Sequence, residues 1–258
     1  NETLADAKSV GKVPVARLAS ILSYVKSFVS DAETRSPALV ATECSGGVVR
    51  ATDSVAVTLV TTPVLDGSNL RIHGKDIPLV LSFLSLKGSD DVEVLEHDRC
   101  LFLRRDGDQN LIGVSRWPSD FPVLKINKDD PDKCWFSVST EKLLEAMRLL
   151  EFVAKKDDDR LQFRFGANGV VVSMESGSGD GEDQQVIPFI EDGGMESLKA
   201  EGYDGFCLSK KYIKPIAEHF GVGTFRFGVN WTKKNGYVTF RQDRDGDNYF
   251  TLVVWVRK

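Results

Sequence analysis

One pattern is written twice along this chain. Leu70-Arg71-Ile72-His73-Gly74-Lys75-Asp76-Ile77 is answered by Phe206-Cys207-Leu208-Ser209-Lys210-Lys211-Tyr212-Ile213, each a short strand pattern running into a helix pattern that contains a proline. Leu101-Phe102-Leu103-Arg104, followed by Asp106-Gly107-Asp108, is answered by Val238-Thr239-Phe240-Arg241, followed by Asp245-Gly246-Asp247. A tryptophan-bearing strand pattern then closes each half, at Trp117 and at Trp255. Similarity at so long a spacing implies a duplicated domain, each copy with a helix and about four strands. A chain of 258 residues holds two such copies and buries a sizeable core.

The periodicity fills in the halves. Val15, Leu18, Ile21, Leu22, Val25, Phe28 and Val29 fall on one face at roughly 100° per residue and predict an amphipathic helix. Its opposite face carries the small residues Ala16, Ser20, Ser23 and Ser27. After Pro37 the period changes, and Leu39 to Glu43, Gly46-Gly47 and Val48 to Val60 read as strands around a hairpin turn. A second helix is predicted over 74–88, with Pro78 near enough to its start to be tolerated. Strands follow at Val92 to Leu95, Cys100 to Arg104 and Leu111 to Trp117. Three prolines and a charged run lie between Trp117 and Pro131, which reads as a connector. The chain is therefore divided as 1–122, a connector at 123–133, and 134–258. In the second half a helix starts at Ser139 or Thr140 with Leu143, Ala146, Met147, Leu150, Val153 and Ala154 on one stripe, and strands flank the turn Asn168-Gly169.

A net charge of −5 argues against coating nucleic acid through the whole surface. No apolar run approaches the ~18 residues of a spanning helix, and the polar stretch Asn1 to Lys12 does not resemble a signal peptide, so no membrane partner is expected. Asn1 rather than Met opens the chain, as it would after processing or trimming. Cys44, Cys100, Cys134 and Cys207 have neither zinc-site spacing nor the density of a disulfide scaffold, which points to a reducing cytoplasm. Catalytic signals are lacking: there is no Gly-rich phosphate loop and no nucleophile elbow, and His73, His97 and His219 stand apart and read as surface or capping residues. Asp243, Asp245 and Asp247 have Val254 where a calcium loop would place its bidentate Glu, so they read as a solvated hairpin turn. Asp157-Asp158-Asp159 reads as a turn and Ser176 to Gln185 as a loop. No metal and no cofactor is expected.

Arg50-Ala51-Thr52-Asp53-Ser54, followed by Val55-Ala56-Val57, resembles the Ala-Thr-Asp-Gly strand segment of bacterial DNA polymerase sliding clamps. Asp120-Phe121-Pro122 resembles the segment that joins the second clamp domain to the third. Phe206 to Phe220 resembles the strand and helix that open the last half of the third, and Leu252 to Arg257 stands where the family ends in a hydrophobic strand. The resemblance covers nearly the whole chain but only the last two of that family's three domains. It implies an α+β clamp fold, two similar domains each with two helices packed on antiparallel sheets, forming part of a six-domain ring. It also implies a non-catalytic processivity factor that encircles duplex DNA without reading its sequence, in a bacterial cell or a phage-infected host. Two domains per chain imply closure as a homotrimer, and a domain lost ahead of Asn1 would undo that inference.

Helices that face DNA should be basic. Over 15–31, 74–88, 139–156 and 209–220 there are 11 Lys and Arg against 6 Asp and Glu, which leaves the rest of the chain acidic. Such a lining rides on phosphates through long-range attraction without gripping bases. The candidate DNA-facing residues are Arg17, Lys26, Lys75, Lys142, Arg148, Lys155, Lys156, Lys210, Lys211 and Lys214. The resemblance further implies a hydrophobic pocket between the domains for short peptide motifs of the DNA polymerase and the clamp loader. Its residues would be Thr52, Ser54, Val55, Val57, Pro122, Val254, Trp255 and Val256, with Ser54 in place of the family's glycine. Core burial is the competing reading for Trp255. Three functions stand in order: a ring-shaped clamp, a clamp-fold adaptor or inhibitor that closes no ring, and a hydrolase or nuclease with dispersed catalytic residues.

Overall fold

Apolar stripes as long as those predicted here need a floor, and each half of the chain builds one from antiparallel strands. The structure, a computed structural model, describes residues 2–30, 36–105, 110–124, 126–153, 160–174, 184–231 and 236–255. The turns expected at Asp106-Gly107-Asp108 and Asp157-Asp158-Asp159, most of the loop from Ser176, and the candidate residues Lys155, Lys156 and Val256 lie outside the described residues. The chain divides into two compact units, Asn1–Ile126 with Asp243–Phe250, and Asn127–Gln242 with Thr251–Lys258.

The first unit runs α1 (Glu2–Ala5), β1 (Lys8–Pro14), α2 (Val15–Lys26), β2 (Ala41–Ser45), β3 (Val48–Thr52), β4 (Ala56–Thr61), β5 (Asn69–His73), α3 (Ile77–Leu84), β6 (Asp91–Glu96), β7 (Cys100–Arg105) and β8 (Asn110–Ser115). One sheet has the order β1-β6-β7-β8 and another contains β4-β3-β2-β5. Leu18, Ile21, Leu22 and Val25 of the predicted stripe are buried as α2 packs on α3 and β3, and Phe28 and Val29 are buried just past its end. The second helix is shorter than the 74–88 expected. At its start the Gly74 N–H donates to the Val40 carbonyl (2.8 Å), and a side chain at Gly74 would meet Val29 Cγ1 at 2.8 Å. At its end the buried Arg105 guanidinium donates to the carbonyls of Leu84 (3.1 Å) and Leu86 (2.8 Å), taking the acceptors that a further turn would use.

The second unit runs β9 (Cys134–Ser139), α4 (Thr140–Val153), β10 (Arg160–Phe165), β11 (Gly169–Met174), β12 (Gln184–Pro188), β13 (Glu191–Gly193), α5 (Met195–Ala200), β14 (Gly205–Ser209), α6 (Lys210–Phe220), β15 (Thr224–Trp231), β16 (Gly236–Arg244) and β17 (Asp247–Trp255). Its sheets read β12-β11-β10-β14 and β13-β9-β15-β16-β17. Substituting β9 for β1, α4 for α2, β10 to β12 for β2 to β4, β14 for β5, α6 for α3 and β15 to β17 for β6 to β8 turns one unit's sheet orders into the other's. The repeat therefore extends to topology, with β13 and α5 inserted in the second copy. A cluster of buried phenylalanines fills this copy, with the Phe136 and Phe227 rings 4.6 Å apart and Phe163 and Phe206 5.2 Å apart.

Three expectations need correction. Each copy has more strands than the four or so expected, β1 to β8 and β9 to β17, because polar strands such as β1 and β12 carry no apolar run to mark them. Trp117 lies beyond β8, its indole 4.5 Å from the His73 ring and donating to the Pro37 carbonyl (2.8 Å). Gln184 and Gln185, assigned to a loop by their polarity, open β12 on an edge where polar side chains cost nothing.

At the start of the second unit Asp132 is nearly buried and accepts from Asn230 Nδ2 (2.9 Å), from Thr239 Oγ1 and from the Arg241 guanidinium. Burial works against its ionisation, but the bonds from Arg241, Thr239 and Asn230 outweigh it and hold the carboxyl below its ordinary range. A group depressed on folding stabilises above its unfolded pKa and loses that contribution as pH falls through the folded value. Asp132→Asn should therefore cost about 2–3 kcal/mol at neutral pH, and the difference from wild type should shrink below about pH 4, as read by urea unfolding across pH.

Candidate nucleic-acid interface

Three of the four longer helices, α2, α4 and α6, carry candidate cations, and the structure distributes them unequally. α3 holds no charged side chain, and Lys75 precedes its first turn. Counted over α2, α3, α4 and α6 alone there are 7 Lys and Arg against 4 Asp and Glu, a weaker contrast than the longer predicted helices gave.

In the first unit Lys26, at the end of α2, and Lys75 are exposed and line one pocket with His73, Gly74 and Pro78. The buried His73 accepts the Lys75 N–H at Nδ1 (3.1 Å), a capping role of the kind expected for it. Arg17 behaves differently. Its Nε donates to Asp247 Oδ2 at 2.9 Å and its Nη2 to Oδ1, a two-pronged ion pair with a carboxylate that is only 2% exposed. Asp247 is thus no solvated turn residue. The turn itself is Asp245-Gly246, both at positive φ (54° and 80°), as a two-residue hairpin requires.

In the second unit α4 and α6 lie side by side. The Ser139 hydroxyl accepts the Lys142 N–H (3.3 Å) at the start of α4, and the Ser209 hydroxyl accepts the Lys211 N–H (3.2 Å) at the start of α6. Lys142, Arg148 and Lys211 are exposed, the last with Nζ 5.4 Å from the Tyr212 ring. Lys210 and Lys214 share Glu151 Oε1 at 3.5 and 3.2 Å. Burial opposes ionisation of Glu151, and the two lysines outweigh it and lower its pKa. One carboxylate thus spaces two ammonium groups along the α4–α6 groove while removing part of their charge.

The residues assigned to peptide binding fall in both units. Thr52 and Val57 are buried, whereas Ser54 and Val55 are exposed at the tip of the β3–β4 hairpin, Val55 by 39%. That tip is rigid: Asp53 Oδ1 accepts the N–H groups of Val55 (3.1 Å) and Ala56 (3.0 Å), and Thr52 Oγ1 accepts from Ser54 N (3.1 Å). Ser54 sits at φ 79°, the left-handed region, which gives a physical reason for glycine at this position in the clamps it resembles. Asp120 pairs with Arg71 (2.7 Å) and Phe121 lies under the Arg50 guanidinium, while the next residue, Pro122, is half-buried. In the other unit Val254 is 45% exposed, but Trp255 is only 4% exposed and donates to the Asn230 carbonyl (3.2 Å), with its ring 5.6 Å from that of Tyr203.

Neither a scan of protein-family models nor a search of curated proteins finds a match. Solved structures do match. The chain is similar to a DNA polymerase sliding clamp from Bacillus subtilis, with a TM-score of 0.76 at 17% identity over 99% of this chain and 66% of that one. The fold is that of a sliding clamp. The β subunit of DNA polymerase from Streptococcus pyogenes superposes with a TM-score of 0.74 at 14% identity, over 96% of this chain and 65% of that one. The DNA polymerase III β subunit from Thermotoga maritima gives 0.72 at 17% identity, over 98% and 67%. The chain thus spans about two thirds of the length of these clamps, and its two units repeat one clamp-type topology.

Sequence reasoning missed the acidic partners of the cations. Nothing in the spacing joins Arg17 to Asp247 or Lys214 to Glu151, since each pair needs the fold to meet. Removing one partner of a buried pair leaves an unpaired charge, so Arg17→Ala should destabilise the first unit by about 2–3 kcal/mol in chemical denaturation. Ser54→Gly should raise stability by up to about 1 kcal/mol in the same assay by relieving the left-handed backbone.

Proposed function

We propose that this protein is a DNA sliding clamp: a ring-shaped processivity factor, without catalytic activity of its own, that encircles duplex DNA and tethers the replicative polymerase. The observation that carries this reading is the duplicated topology of two helices on two sheets in a clamp fold that spans the whole chain. Exposed cations on α2, α4 and α6 supply sequence-blind attraction to phosphates: Lys26, Lys142, Arg148 and Lys211, with Lys75 beside α3. Val55 and Val254 are the exposed apolar residues we assign to contact with polymerase and clamp-loader peptides. Replication at this site belongs to the cytoplasm of a bacterial or phage-infected cell.

The sheet edges also indicate how copies would join. β8 ends one sheet of the first unit and β12 ends one sheet of the second. Leu111 on β8 and Val186 on β12 are exposed apolar side chains on those edges. We assign the contact between copies to β8 of one against β12 of the next, a head-to-tail arrangement that closes with three copies if six units make the ring.

A second reading, a clamp-fold adaptor that closes no ring, is favoured by the pairing of Arg17 with Asp247 and the partial neutralisation of Lys210 and Lys214 by the one carboxylate of Glu151. Molar mass in solution separates the two. The ring reading expects a mass about three times 28.6 kDa and retention on nicked circular DNA with loss from linear DNA. Combined Lys142→Glu, Arg148→Glu and Lys211→Glu changes should abolish polymerase stimulation while leaving the unfolding midpoint in place. A monomer at all concentrations, or undiminished stimulation, would overturn the clamp reading.

A further inference from the structure

One surface feature is at odds with a face meant only for duplex phosphates. Phe152, in the last turn of α4, is 93% exposed, and Leu149 one turn before it is 51% exposed. The buried stripe of the same helix, Leu143, Ala146, Met147 and Leu150, lies on another side, so neither residue is part of the core. Arg148 precedes Phe152 by four positions and therefore shares its face. Glu151, the adjacent residue, binds Lys210 and Lys214 across the groove, so the α6 cations lie against the same turn of α4 that carries Phe152. Glu145 and Glu151 are the acids on this end of α4, against four cations.

A water-exposed aromatic ring costs solvation and gains nothing from duplex DNA, whose bases are stacked inside and whose surface is phosphate. An unstacked base offers a π-face that fits such a ring, and its phosphates fit the surrounding ammonium and guanidinium groups. We propose that the Phe152 end of α4, with Arg148, Lys210, Lys211 and Lys214, is a stacking site for single-stranded DNA. This deepens the DNA-binding reading above and rests on it. The ring accepts a base by face-to-face contact, Arg148 and the lysines hold the flanking phosphates, and no base edge is read, so binding is indifferent to sequence and weakens with salt.

The test uses the full chain and a fluorescent single-stranded oligonucleotide of roughly 20 nucleotides, with nicked circular duplex retention measured in parallel. Phe152→Ala should weaken single-strand binding on the order of tenfold and leave duplex retention and molar mass unchanged. Phe152→Trp should preserve single-strand binding, and Phe152→Leu should not, because the contact needs a π-face rather than apolar area. Undiminished single-strand affinity in Phe152→Ala would overturn the inference, as would an equal loss in Phe152→Leu and Phe152→Trp. So would a change in molar mass, which would mark the patch as an interface between copies. Wild-type protein that is retained on circles but binds no single strand would remove this inference and leave the clamp reading standing; failure of retention as well would remove both.

Discussion

Neither unit can exist without a sheet for its helix pair to lie on. A twelve-residue helix such as α2 buries Leu18, Ile21, Leu22 and Val25 along one stripe, and that stripe is stable only when covered. The chain meets the requirement twice with the same strand order, and each solution leaves the opposite helix face to solvent. The exposed Lys26, Lys142, Arg148 and Lys211 follow from this arrangement: the outer face is what remains once the stripe is satisfied. Chemistry and packing are therefore set by the same helices from opposite sides.

Glycine and proline positions show how narrowly the second copy is built. A side chain at Gly228 would lie 2.2 Å from the Asp132 carboxyl carbon, and one at Gly236 would overlap the Trp255 indole. These glycines make room for the polar anchor that begins the unit and for the aromatic residue that ends its last strand. Pro215 stands inside α6, where it withholds one backbone hydrogen bond, in the stretch that holds Lys211 and Lys214.

Much of this was legible in the sequence, for physical reasons that differ by element. The stripes of α2 and α4 obey a single period, and the correspondence of Leu70–Ile77 with Phe206–Ile213 survives as the β5–α3 and β14–α6 pairs. Strand number was not fully legible, because β1 (Lys8–Pro14) and β12 (Gln184–Pro188) are polar edge strands without an apolar run to mark them. Helix ends were misjudged where a distant group stops them: Arg105 limits α3 from more than one strand away in sequence. The candidate cations could be named from sequence, but their counter-ions could not. Arg17 and Asp247 are 230 positions apart, and only the fold shows that this arginine is pinned.

That same separation bears on how the protein is made. The residues Asp243–Phe250 belong to the first unit although most of the second, Asn127–Gln242, is translated before them. An emerging chain can form α2 early, but Asp247 and the strand beside β4 reach the first unit only after residues 127–242 have been made. Until then the first unit stands with β4 uncovered and Arg17 in water, so its last strand and its ion pair form only after most of its twin has been synthesised.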